Sequence, residues 1–155
     1  MFTLVPSDFF DAASARIALE KVAGPLGPRS VKHLDISDYK AVLIYDCDED
    51  GSSCAPPPII YKVLLRLGEC PDYNRILCHL DAGVLSIAIA QGRQLLLCNS
   101  YPAQDFTTAE YYIFLAVKSL LINPEMSTVC FMRALSDEEE MSLYRYFKSV
   151  LVLEG

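Results

Sequence analysis

The chain reads as a mixed α/β protein of ordinary domain length, and three observations carry that reading. It has 155 residues, 52% of them apolar and 21% charged, so a chain of this size can bury roughly 70% of the surface it exposes when unfolded. Short runs rich in Val, Ile and Leu recur at strand length, most densely after Ile76. Among them stand segments whose apolar residues fall at helical spacing, two of them opening on paired start signals. The low hydrophobicity and high charge that mark disorder are not found here.

Phe2 to Val5 alternates like a short strand, and Ser7 is placed to cap a helix over residues 8–22 that Gly24-Pro25 ends. Val31 to Leu34 and Ala41 to Tyr45 then read as strands. Asp46 to Pro58 collects four acids, Gly51, two serines and three prolines, and reads as an exposed loop. A helix follows over Ile59 to Leu67 and stops at Gly68.

The second half is more regular. Ile76 to Leu80 is a strand, and Val84 to Ala90 with Gln94 to Cys98 make a hairpin that turns at Gln91-Gly92-Arg93. Thr107 with Glu110 forms a capping box for a helix over residues 108–122, and Asn123-Pro124 stops it. Thr128 to Met132 is the next strand. Ser136 with Glu139 forms a second capping box, for a helix over residues 137–148, and Val150 to Leu153 is the last strand. The acids Asp137, Glu138, Glu139 and Glu140 then sit at the positive end of a helix dipole, and helix-start chemistry accounts for them better than a catalytic cluster does. From Ile76 onward the order is strand, strand, strand, helix, strand, helix, strand. That is the order of a ribonuclease H-like lobe, a mixed sheet with flanking helices.

Charge narrows the function classes. The net charge is −7 and Lys and Arg are scattered, never clustered beyond a pair, so nucleic acid and anionic membrane surfaces are repelled. The longest apolar runs, Ile59 to Leu65 and Ile113 to Val117, fall far short of the roughly 20 residues of a bilayer span. The N-terminus has none of the features of a secretory signal. Of six cysteines, Cys78, Cys98 and Cys130 lie inside apolar strand-like runs and Cys70 ends a helix, as buried thiols do. A reduced, cytoplasmic protein is expected.

Several constellations resemble sites. Asp46-Cys47-Asp48-Glu49-Asp50-Gly51 matches the first half of a calcium loop, but position twelve is Pro57 where a bidentate Glu belongs, and a strand precedes it where a helix belongs. His33 and His79, the two histidines, lack the converging ligands zinc requires, beyond Cys78 and Asp81 beside His79. No G-x-S-x-G elbow marks a nucleophile. Tyr101, Tyr111, Tyr112, Tyr144 and Tyr146 read as core residues with hydroxyls at the edge, Tyr112 packing inward with Val117 and Leu120; a protein-binding face is the alternative. No catalytic residue, metal or cofactor is expected.

Phe2-Thr3-Leu4-Val5-Pro6 followed by Phe9-Phe10, the hairpin end Leu95-Leu96-Leu97-Cys98-Asn99-Ser100, the pair Tyr111-Tyr112 and the closing Leu143 to Val150 together resemble the C-terminal part of an uncharacterised Bacteroidetes family. Its members adopt a two-lobed, actin-like fold akin to pilus-assembly actin homologues. The resemblance covers most of the chain loosely and is most specific over Asn99 to Leu121. It implies that residues 1–69 are the end of a first lobe that is otherwise missing, and residues 70–155 a second ribonuclease H-like lobe. In actin-like ATPases a D-x-G-x-x-[ST] turn holds phosphate, because Gly lets backbone amides approach and the hydroxyl adds a donor. Asp81-Ala82-Gly83-Val84-Leu85-Ser86 fits it, which makes Asp81, Gly83 and Ser86 the candidate phosphate-binding residues. The companion adenosine motif falls on Phe131-Met132-Arg133-Ala134-Leu135-Ser136, where both glycines are replaced, by Arg133 and Ala134. The resemblance thus implies a degenerate, non-catalytic protein that binds other proteins and can self-associate, with a nucleotide-binding ATPase as the alternative.

Overall fold

The computed structural model describes residues 1–47 and 58–153 and divides into two compact units, Met1–Tyr61 and Lys62–Gly155. In the first unit β1 (Phe2–Pro6), β2 (Ser30–Ile36) and β3 (Ala41–Cys47) form an antiparallel sheet in the order β1-β3-β2. The strand β3 is central because Ala41-Val42-Leu43-Ile44-Tyr45 is apolar without a break, and all five residues are buried. The helix α1 (Ala15–Ala23) lays Ala15 and Leu19 against Val42 and Ile44.

That helix starts later than its spacing predicts. Short 3-10 turns take up Ser7–Phe9 and Ala12–Ser14, and Ser7 makes no cap. The start signal that acts is Asp11, whose carboxylate accepts the Ala13 amide at 3.1 Å. Gly24, at φ 81°, ends α1 as expected. A second correction concerns Asp46 and Cys47, which finish β3 and do not begin a loop. Cys47 is buried, and Arg29 donates to the Asp46 carboxylate at 2.6 Å. The rest of the acidic segment, with Asp48, Glu49, Asp50 and Gly51, lies outside the described residues.

The second unit has five strands: β4 (Asn74–Asp81), β5 (Val84–Gln91), β6 (Gln94–Pro102), β7 (Thr128–Phe131) and β8 (Ser149–Val152). Their order is β6-β5-β4-β7-β8. The strand β5 runs antiparallel to both β4 and β6, while β7 pairs parallel with β4 and β8 parallel with β7. This is the mixed sheet expected from the element order. On one face Ile76, Cys78, Leu85, Ile87, Ile89, Val129 and Phe131 meet Ala109, Ile113, Ala116 and Val117 of α3 (Phe106–Ser119), with Leu143 of α4 (Asp137–Tyr144) and Phe147 beyond it. Each large apolar side chain so buried contributes about 1.5–3 kcal/mol.

The residues between them, Leu77, Ala88, Ala90 and Cys130, are buried too, which is why β4, β5 and β7 read as nearly unbroken apolar runs. Part of that cover comes from the segment after α2 (Ile59–Arg66), because the 3-10 turn Leu67–Glu69 touches β4 and β5.

The ends of α3 depart from expectation. Its cap is Asp105, which accepts the Thr108 amide at 2.7 Å, not Thr107. Asp105 still has the extended backbone of the chain leaving β6, φ −135° and ψ 170°, whereas Thr107 already lies in the first turn. The helix closes at Ser119: Ile122 N–H donates to the Val117 carbonyl and Leu121 N–H to that of Lys118, with Leu121 at φ 57°. At α4 the capping box is present, Ser136 Oγ accepting the Glu139 amide at 3.2 Å and Glu139 accepting the Ser136 amide at 2.9 Å. That helix stops at Tyr144, because the Tyr146 and Phe147 amides turn back to the Leu143 carbonyl and bury Phe147. Among the described residues no helix is long and apolar enough to cross a membrane.

Candidate functional site

The candidate phosphate residues belong to the β4–β5 hairpin. Asp81 ends β4, Ala82 and Gly83 form a two-residue turn, and Val84 opens β5. Both turn residues are left-handed, Ala82 at φ 51° and Gly83 at φ 74°, the backbone twist that joins two antiparallel strands most tightly. The turn lies where β4 and its parallel neighbour β7 both end at their carboxyl termini, a place where open α/β sheets bind ligands.

The three residues do not converge. Ser86 points into the sheet: it is 1% exposed and its hydroxyl pairs with that of Ser100 at 3.3 Å. Above the turn lies Gln104, close enough that a methyl group added at Gly83 would be 2.7 Å from Gln104 Nε2. The Ala103 amide donates to the Gly83 carbonyl at 2.9 Å, which holds the segment after β6 on the turn. Asp81 alone of the three is exposed through its side chain.

Beside the turn, residues 131–136, where the adenosine motif was expected, are held by their own side chains. Arg133 donates to the Ala134 carbonyl at 2.9 Å and to both Glu139 oxygens at 2.9 and 3.3 Å. The Arg133 guanidinium, helped by the Ser136 amide, holds the Glu139 carboxyl below its usual range despite partial burial. The capping carboxylate of α4 thus also holds Arg133, one of the two residues expected to replace the glycines of the adenosine motif. His79, opposite Ser86 in the β4–β5 register, has a lowered pKa. Burial is the largest cause; Lys62 and Arg133 push the same way and Asp81 opposes them.

Sequence reading did not foresee Gln104, Ser100 or the second role of Glu139. For the first two the hairpin is only a partial signal: a count from Gln91 opposite Gln94 sets Ser86 against Asn99, and the one-residue register shift at Ile89/Ala90 is what brings Val84 to Pro102 and Ser86 to Ser100. The Arg133–Glu139 pair has no such signal, since it depends on how the chain turns between β7 and α4.

The other candidates are dispersed. His33 lies on β2 with its ring 4.7 Å from that of Phe10. The free thiols Cys47, Cys70, Cys78 and Cys130 are buried and Cys98 is half-buried. Among the described residues no three His, Cys, Asp or Glu side chains are grouped to hold a metal ion. Of the tyrosines, Tyr112 packs inward and stacks on Tyr101 with centroids 4.6 Å apart, and Tyr111 meets Tyr112 edge-on at 5.4 Å. Tyr111, Tyr144 and Tyr146 are exposed.

A family model described as a protein of unknown function (DUF3822) matches residues 58–150. The chain is also similar to a crystal structure from Bacteroides thetaiotaomicron VPI-5482, described as a protein with an actin-like ATPase fold and unknown function. The TM-score is 0.78 at 18% identity, over 98% of this chain and 64% of that one. The likeness establishes the actin-like fold, and the chain spans 64% of the length of the structure it matches. A comparison with curated proteins finds no match.

Proposed function

This chain belongs to the DUF3822 family of unknown function, and we propose that within it the chain is a non-catalytic, degenerate actin-like protein that acts by binding another protein. The observation that carries this reading is the state of the phosphate-type turn. Gln104 lies over Gly83, and the Ser86 hydroxyl is spent on Ser100. A phosphate needs the Gly83 backbone approachable and a free hydroxyl beside it; here one is covered and the other committed. The clamp of Arg133 by Glu139 acts against the base in the same way.

On this reading residues 1–69 are the end of a first lobe and residues 70–155 the second, in a bacterial protein of the Bacteroidetes type with kinship to pilus-assembly actin homologues. A reduced cytoplasm suits its buried free thiols, and a net charge of −7 favours a protein partner over nucleic acid or a membrane surface. The second reading is a nucleotide-binding ATPase using Asp81, Gly83 and Ser86. It is favoured by the placement of the Asp81–Gly83 turn at the carboxyl ends of β4 and β7.

Thermal melting with Mg-ATP separates the two. A ligand at 100 times its dissociation constant stabilises the folded state by about 2.7 kcal/mol, and each kcal/mol moves the midpoint of a chain this size by roughly 2–4 °C. We expect a shift below about 1 °C at ~1 mM Mg-ATP. A shift of about 5 °C or more that vanishes in Asp81→Ala would replace the binding reading with the ATPase one.

A further inference from the structure

Two buried thiols meet over the seam between β4 and β7. Cys70 is 2% exposed and Cys130 is 0% exposed. The parallel register sets Leu77 beside Cys130 and Cys78 beside Phe131. Cys78 and Phe131 belong to the core under α3, so Cys130 and Thr128 project from the opposite face of the sheet. The Met132 amide donates to the Cys78 carbonyl at 3.0 Å, and the two-residue repeat of a parallel ladder then assigns the Cys130 amide to the Ile76 carbonyl. Cys70 Sγ lies 4.0 Å from that same carbonyl oxygen. Two residues on, Asp72 accepts a hydrogen bond from the Thr128 hydroxyl. Residues 70–73 thus lie on the face of β7 that carries Cys130, with Cys70 over Cys130 and Asp72 over Thr128.

We propose that Cys70 and Cys130 are a redox modification site, a dithiol that hydrogen peroxide closes to a disulfide within one chain. Cys130 is the attacking thiol. A hydrogen bond from Cys70 holds its pKa below the ordinary value despite burial, and the same contact, together with burial, pushes that of Cys70 up. The Cys130 sulfur attacks one peroxide oxygen, the O–O bond breaks, and the departing hydroxide takes the proton that Cys130 gave up, leaving water and a sulfenic acid. The Cys70 sulfur then attacks the sulfenic sulfur. The S–S bond forms, the S–O bond breaks, and hydroxide leaves as water with the Cys70 proton. Two electrons pass from the two sulfurs to one peroxide, which becomes two waters.

The fold selects this pair among the described thiols. Cys78 is on the other face of the sheet, and Cys98 stands on β6 with β5 and β4 between it and β7. Burial keeps the dithiol reduced while the fold is closed. Access comes by local opening, because residues 70–73 lie in neither helix nor strand, and Asp72, through Thr128 and Lys148, is what fastens them down. Once formed, the bond straps the segment after α2 to β7 across a long loop, which stabilises the fold by restricting the unfolded chain.

The test treats the whole chain with graded hydrogen peroxide, alkylates the remaining thiols under denaturing conditions and maps the peptides by mass spectrometry. A Cys70–Cys130 linked peptide is expected at the mass of one chain, reversed by dithiothreitol, with a melting midpoint higher by roughly 5 °C or more in the oxidised form. In Cys70→Ala, Cys130 should instead be trapped by dimedone as the sulfenic acid. Asp72→Asn should form the linkage severalfold faster than wild type, since the segment opens more often. Met126 and Met141, 69% and 64% exposed, report the oxidant dose. Their conversion to sulfoxides in wild type while both thiols still alkylate would overturn the proposal, as would linkage of Cys130 to any other cysteine. An Asp72→Asn chain that links no faster than wild type would overturn the route of access.

Discussion

Asp72 shows how much one residue can hold. It accepts a hydrogen bond from the buried Thr128 hydroxyl and an ion pair from Lys148, 3.0 Å from the nearer oxygen, and so ties the start of β7 and the approach to β8 to the segment before β4. The hydrogen bond from Thr128, then that from Lys148, lowers its pKa. A carboxyl whose folded pKa is depressed stabilises the fold above its unfolded value of about 3.9, and that contribution is lost as pH falls through the folded pKa. Asp72→Asn should therefore be less stable than wild type near neutrality, and the gap should close below about pH 4. Urea melts of both proteins across that range check it; a gap constant with pH would mean the carboxylate's charge is not what stabilises. The residue contacts at the turn were only partly legible. Asp81 and Gly83 stand out in the sequence because the turn demands them, but whether Ser86 is open depends on Ser100, fourteen residues away. Gln104 over Gly83 is a fact of register, not of motif.

At the scale of elements β4, β5 and β7 were legible to within two residues at each end, because a strand buried on both faces is an apolar run and nothing else, whereas β6 runs four residues past the expected Cys98, to Pro102, through the polar Asn99 and Ser100. Helix ends were harder. Thr107 and Asp105 are both capping residue types two positions apart, and what decided between them was the extended backbone inherited from β6. The end of α3 was hidden for a different reason. Its closing bonds, from Leu121 to Lys118 and from Ile122 to Val117, belong to a motif that glycine usually announces, and here a leucine occupies the left-handed position. Leu121 is 93% exposed, so its side chain contributes little packing while its backbone bears a strain of about 1–2 kcal/mol. Leu121→Gly should thus stabilise the protein by about 1 kcal/mol, seen as a rise of roughly 2–4 °C in the melting midpoint. A fall in the midpoint would mean that the exposed leucine is engaged elsewhere.

For the molecule as a whole, element order led from sequence to a mixed sheet with flanking helices; the sheet has the strand order β6-β5-β4-β7-β8, and the likeness to an actin-like structure agrees with it. What the fold is used for is a separate matter, because one fold supports many sites. The central proposal is that this chain has the actin-like fold without its nucleotide site, because Gln104 covers Gly83, Ser100 engages the Ser86 hydroxyl and Glu139 holds Arg133. Calorimetric titration of the wild-type chain with Mg-ATP tests that claim most directly. The account predicts no saturable heat up to ~1 mM ligand, where binding would be worth only about 4 kcal/mol. A single-site isotherm with a dissociation constant below about 100 μM, abolished by Asp81→Ala, would contradict it.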